Sequence, residues 1–180
     1  NLATLGGNIG SASPIGDTLP LMLAYKAHVK LQSVTFDRII RMDEFLKGYR
    51  STHIRPNELI TAIHLPKPEP ETIIKSYKVS KRKDLDISTV SGGFSLQLEQ
   101  GIVKEIILAF GGMADMPKRA SDTEKHLLGK PWTRQNVEHA MKILASEFSP
   151  LSDARAGAEY RNLVARNLLL KFYAETTSGL

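Results

Sequence analysis

Cysteine is absent from the 180-residue chain. That excludes disulfides, thiolate nucleophiles and cysteine-ligated zinc or iron–sulfur centres, so any such centre in an assembly with this chain belongs to another polypeptide. Long apolar runs are also missing. None approaches the roughly 18 to 20 residues of a membrane span, and no basic-then-apolar leader opens the sequence. A cytoplasmic protein with no membrane partner is expected. The five histidines, His28, His53, His64, His126 and His139, show no metal-ligand spacing, so no metal site and no catalytic residue is expected. The net charge of +5 is spread along the chain and mixed with acids, which argues against a dedicated nucleic-acid domain but leaves an anion-binding surface open.

With 42% hydrophobic and 24% charged residues, the chain reads as an ordinary globular α+β protein. The proline-rich segment KPEPET, 67–72, follows the alternating run ELITAIHLP and is read as a linker between 1–66 and 73–180. In the first part little regular structure is expected before Asp17. Asp17 or Thr18 can cap a short helix with Pro20 in its first turn, and strands around HVKLQS, RIIRM and ELITAIHL follow. In the second part IIKSYKVS is a strand and KRKDLD a charged turn. Val90, Phe94, Leu96 and Leu98 then alternate with Ser91, Ser95 and Gln97, the period of a half-buried strand. Glu99-Gln100-Gly101 turns the chain into a third strand, IVKEIILAFGG. Three helices should back this three-stranded antiparallel meander. Val137, Ala140, Met141, Leu144 and Phe148 mark one stripe, and Tyr160, Val164, Leu168 and Phe172 another, capped by Ser152 or Asp153.

The stretch LGGNIGSASPIGD, 5–17, concentrates glycine, serine and proline. It lacks the lysine of a P-loop and the G-x-G-x-x-G of a Rossmann turn. Glycines there let a backbone approach a ligand closely and adopt positive φ, successive amides can form an anion nest, and Thr4, Asn8, Ser11 and Ser13 add hydrogen-bond groups. The other reading is a plain turn-rich loop.

TLGGNIGSASPIGD closely resembles the second FAD-binding motif, T-(I/L)-G-G-N-I-x-x-A-S-P-x-x-D, of the flavin domain in the xanthine dehydrogenase family of molybdenum hydroxylases. SYKVSKRKDLDISTVSGGFSL is similar to the start of that family's C-terminal flavoprotein subdomain, LAFGGMAD to its central strand, and SDARAGAEYRNLVARNLLLKFY to its last helix. RKDLDI favours the xanthine dehydrogenase type over the CO dehydrogenase type. The resemblance implies the remainder of an FAD-binding subdomain (PCMH/VAO type) followed by a CO dehydrogenase flavoprotein C-terminal-like subdomain.

It also implies a function: electrons pass from iron–sulfur clusters through FAD to NAD+ during hypoxanthine or xanthine oxidation. Molybdopterin and 2Fe-2S clusters would sit only on partner domains or chains. The implied partners are N-terminal FAD-binding and iron–sulfur segments, with the other double-glycine loop preceding Asn1, and a molybdopterin-binding subunit. Thr4, Gly6, Gly7 and Asn8 match the flavin loop, Asp17 the acid on the flavin's hydroxylated chain, Ile60 an aliphatic contact and Lys78 a lysine near the flavin. Asp86 falls in the loop bordering the nicotinamide approach. Each has a plainer reading: Ile60 as a core strand residue, Lys78 with Lys81, Arg82 and Lys83 as a solvated cluster, and Asp17 as a helix cap. A flavin subunit of an aldehyde or CO dehydrogenase type, or a cofactor-free structural fragment, are the alternatives. The isolated chain is expected to be inactive and to hold FAD weakly.

Overall fold

A computed structural model describes residues 4–83 and 86–177. The order begins α1 (Leu5–Gly10), α2 (Thr18–Ala24), β1 (His28–Gln32), β2 (Asp37–Arg41), α3 (Met42–Phe45), β3 (Leu46–Gly48), β4 (Ser51–Thr52) and β5 (Leu59–His64). β1 is the centre of an antiparallel sheet ordered β2-β1-β5, and its alternate residues Val29 and Leu31 are fully buried. β3 and β4 form a separate hairpin. Its tip carries Tyr49 and Arg50, the latter in the left-handed region at φ 47°. Arg38 on β2 clamps the buried Glu58 through two hydrogen bonds, Nε to Oε1 at 2.7 Å and Nη2 to Oε2 at 2.9 Å. That bidentate geometry is the strong form of the pair.

Next come β6 (Ile73–Val79), β7 (Val90–Glu99), β8 (Ile102–Gly111) and β9 (Lys118–Arg119), then α4 (Ser121–Leu127), α5 (Arg134–Glu147) and α6 (Ala158–Thr177). The four strands form one antiparallel sheet in chain order, where the sequence predicted a three-stranded meander. The added strand is two residues of the return leg, pairing Ala109 with Arg119 and Phe110 with Lys118. The expected turn between β7 and β8 is present. Gln100 and Gly101 both have positive φ, 52° and 78°, as a two-residue hairpin of right-handed twist requires.

The alternation in β7 is real, yet the strand is buried on both faces from Val90 to Leu96. Phe94 and Leu96 join Leu108, Phe110 and the helices in one core. Phe94 is ringed there by Tyr77, Phe110 and Phe172 at centroid distances of 5.3, 5.0 and 5.4 Å. Burying each such ring is worth on the order of 1.5 to 3 kcal/mol. The opposite face, with Ser91, Gly93 and Ser95, faces α2 rather than water. A Cβ on Gly93 would lie 2.3 Å from the Pro20 carbonyl. Small side chains therefore make a trough for a helix, and Ile107 and Ala109 of β8 join the core of the first part.

Two helix details shift. α6 begins at Ala158, whose amide donates to Ser152 Oγ at 2.9 Å. Its buried residues are Arg161, Ala165, Leu168, Leu169, Phe172 and Thr176, while Tyr160, predicted on the stripe, is half exposed. Its turn points it outward because the buried register runs through Arg161. Trp132 is buried against Phe172 and Tyr173, with Nε1 donating to Thr176 Oγ1 at 2.9 Å.

Candidate functional site

The double-glycine stretch is a helix, not a loop. Thr4 caps α1, its hydroxyl accepting from the Gly7 amide at 3.0 Å, and the ladder continues with Asn8 N to Thr4 O and Ser11 N to Gly7 O, both 3.0 Å. Positive φ falls on Ala12, at 43°, and on none of Gly6, Gly7 or Gly10. An extended threonine with a side-chain acceptor starts a helix wherever the following residues tolerate it. Gly6 and Gly10, four residues apart, face Ile60 of β5, to which added Cβ atoms would come within 3.9 and 3.5 Å. Ile60 thus supports α1 from below while the opening amides of the helix point N-terminally.

Asn8 ties α1 to the next helix, its Oδ1 accepting from Thr18 Oγ1 at 2.5 Å. Asp17 stands at the start of α2 but makes no capping bond. Its carboxylate accepts instead from Lys78 Nζ at 2.7 Å and from the hydroxyl of Ser88. The Asp17 and Lys78 side chains are 45% and 43% exposed, and a pair that open adds at most about 1 kcal/mol to stability. Polar groups from the start of α2, from β6 and from the segment before β7 thus converge at a partly open surface. Ser88 was missed from the sequence, although it directly follows the quoted RKDLDI.

Asp86 stands apart. Its carboxylate accepts from the amides of Arg82 and Ile87, both at 2.9 Å, and pairs with the Arg82 guanidinium. The Arg82 amide foremost, then that of Ile87, hold its pKa below the ordinary carboxylate value against the effect of burial. Asp86 therefore shapes its turn. Asp84 and Leu85 of the same predicted turn lie outside the described residues.

A cleft of about 690 Å³ is walled by Pro14 and Ile15, by Tyr49 and Arg50 of the β3–β4 tip, and by Leu151 and Arg155. Its floor is Gly112 with Arg161. Gly112 has φ 82°, and a Cβ there would be 2.4 Å from the Thr89 carbonyl oxygen, so only glycine fits. Its amide donates to Pro14 O at 2.8 Å. Asp153 accepts from Arg161 Nη2 at 2.8 Å and from the amides of Arg155 and Ala156 at 2.8 and 3.1 Å. Burial raises its pKa, but those amides and then Arg161 outweigh it and hold the carboxyl at about 2. The Tyr49 ring is 66% exposed, with the Arg50 guanidinium 6.0 Å from its centroid. Among the described residues no three His, Asp or Glu side chains are placed to hold a metal ion, and no helix is long and apolar enough to cross a membrane.

Comparison with known proteins gives two family matches: the FAD binding domain in molybdopterin dehydrogenase over 1–68, and the CO dehydrogenase flavoprotein C-terminal domain over 75–176. Xanthine dehydrogenase 1 of Arabidopsis thaliana is 34% identical over 179 residues, covering 96% of this chain and 13% of that protein. Nicotinate hydroxylase of Emericella nidulans is 38% identical over 180 residues, again covering 96% and 13%. The chain thus spans only 13% of the length of either relative. Among solved structures, reconstituted CO dehydrogenase from Oligotropha carboxidovorans superposes with a TM-score of 0.88 at 26% identity, covering 99% of this chain and 62% of that one.

Proposed function

Since the chain belongs to the CO dehydrogenase flavoprotein C-terminal domain family and carries, ahead of that domain, part of an FAD-binding domain of the molybdenum hydroxylases, we propose that it is the electron-output module of a xanthine dehydrogenase-like enzyme. The observation that carries this reading is the convergence of Asp17, Lys78 and Ser88, linked through Thr89 and Arg161 to a cleft of nucleotide size, within the range usual for ligand sites.

The residues present fit a flavin dinucleotide. Gly6 leaves the α1 surface without side-chain bulk, Thr4 and Asn8 fix that helix and its neighbour, and Asp17 offers an acceptor for a hydroxylated chain while Lys78 brings positive charge. FAD held there would supply two-electron chemistry, linking iron–sulfur clusters on a partner polypeptide to NAD+ as hydride acceptor. The chain's own residues orient the partners and supply no acid or base. Tyr49 offers an aromatic face and Arg50 a cation to a dinucleotide acceptor in the cleft, a combination suited to a base and a phosphate. The oxidised substrate, hypoxanthine or xanthine in this reading, is handled on a molybdopterin-bearing partner in the cytoplasm. The division into 1–66, a linker at 67–72 and 73–180 goes with this proposal, as does a role for Asp86 in shaping the loop beside the acceptor.

The test is the flavin content of the assembled enzyme with Asp17→Ala. The expected result is loss of most FAD with molybdenum and iron retained. Wild-type flavin content in that variant would overturn the assignment of the cluster.

A further inference from the structure

Among the described residues Arg161 is the one arginine that is almost wholly buried, 3% exposed, and it holds two backbone carbonyls as well as a carboxylate. One terminal nitrogen, Nη1, donates both to the carbonyl of Thr89 and to that of Gly112 at 3.0 Å, while Nη2 donates to Asp153. The sheet explains why those carbonyls need it. The β7–β8 ladder ends at the pair Ser91 and Gly111, so Thr89 and Gly112 lie just beyond the last rung. There the guanidinium bridges the two carbonyls in place of a further rung.

Each clamped residue is committed elsewhere through its other groups. The Thr89 amide donates to Val79 O of β6 at 2.8 Å, and its neighbour Ser88 holds Asp17. The Gly112 amide donates to Pro14 O at 2.8 Å, on the cleft wall. One planar fork therefore joins the arm that carries the flavin-side cluster to the floor of the acceptor cleft, a rigid geometry an ammonium cannot copy.

Resting on the proposed flavin and NAD+ reading, we infer that Arg161 is a positioning residue that sets the spacing between the Asp17–Lys78–Ser88 cluster and the acceptor cleft, and so governs hydride transfer from reduced flavin to the nicotinamide rather than retention of either cofactor. In that transfer the flavin loses two electrons and a proton as hydride, and NAD+ gains them as NADH. Transfer of this kind is steep in geometry, a displacement of about 1 Å costing on the order of a hundredfold in rate.

The experiment uses the assembled enzyme, reduced anaerobically and mixed in a stopped-flow instrument with rising NAD+, following flavin reoxidation. Arg161→Lys and Arg161→Met are compared with wild type, and Asp153→Ala loosens the same clamp at its exposed carboxylate partner, keeping the test alive if Arg161→Met does not fold. The expected result is flavin content close to wild type with a limiting transfer rate at saturating NAD+ lowered about tenfold or more, in Arg161→Lys as in Arg161→Met. Wild-type limiting rates in the variants, rescue by lysine, or a defect confined to flavin content would each overturn the brace. A wild-type enzyme that leaves its flavin reduced under NAD+ overturns the functional reading, and the inference with it.

Discussion

Gly6→Ala separates a structural glycine from one kept for a ligand. Gly6 lies in the first turn of α1 and does not have positive φ. An added Cβ would meet only Ile60 Cγ2, at 3.9 Å, an ordinary contact. Nothing in the fold thus requires glycine there. Alanine is favoured over glycine within a helix by about 0.8 to 1 kcal/mol, so the variant should be as stable as wild type or more so. For a chain of this size that corresponds to a rise of up to roughly 4 °C in melting temperature. If the glycine instead keeps the helix surface clear for a pyrophosphate, the same methyl group obstructs the cofactor. The expected outcome is a melt at or above wild type together with reduced flavin content, read from thermal unfolding and from visible absorbance of the assembled flavoprotein. Full flavin content in a stably folded Gly6→Ala protein would refute the reasoning. Gly7 is a poorer probe, because its Cβ would press on Thr4 Oγ1 at 3.0 Å and mix loss of the cap with loss of the ligand.

Gly93→Ala should be destabilising where Gly6→Ala is not. Its Cβ would lie 2.3 Å from Pro20 backbone atoms, so α2 must move by roughly 1 Å, at a cost of about 3 kcal/mol; a melting temperature within about 2 °C of wild type would contradict the trough described for that face. Acid stability follows from the carboxylates. Glu58 is lowered from 4.5 to about 2, first by its hydrogen bond to Arg38, and Asp153 from 3.8 to about 2, where amide bonds outweigh burial. A lowered folded-state pKa gives stability that is complete above the unfolded value and lost as pH falls towards the folded one, here between about pH 5 and 2. Glu124, raised by burial against the pull of Arg119, works in the opposite sense and offsets part of that loss. Glu58→Gln should melt lower at pH 7 and show a shallower decline on acidification, and an unchanged slope would exclude Glu58 as a contributor.

The sequence carried most of the fold because periodicity reports what a strand or helix buries. Val29 and Leu31, the alternation in β7 and the stripe through Val137, Ala140 and Leu144 are all read this way. What it could not report is what covers the other face. Ser91, Gly93 and Ser95 look solvent-facing by residue type, and only the packing of α2 shows that their small size admits a helix. Glycine content likewise suggested a loop at 5–10, because helix propensity is a weak prior that one cap and a few tertiary contacts override. Of the candidate site, Asp17 and Lys78 were legible through a motif, but their contact spans 61 positions. Arg161 was invisible, since a buried arginine that holds two carbonyls has the same local sequence signature as an exposed one.

The most direct test of the whole account is anaerobic addition of NAD+ to the assembled enzyme after stoichiometric chemical reduction, with flavin absorbance and NADH formation followed together. The account predicts that oxidised flavin returns in step with one NADH formed per flavin reoxidised, as a two-electron hydride transfer requires. Flavin that stays reduced under NAD+ yet is promptly reoxidised by a small artificial acceptor would contradict it.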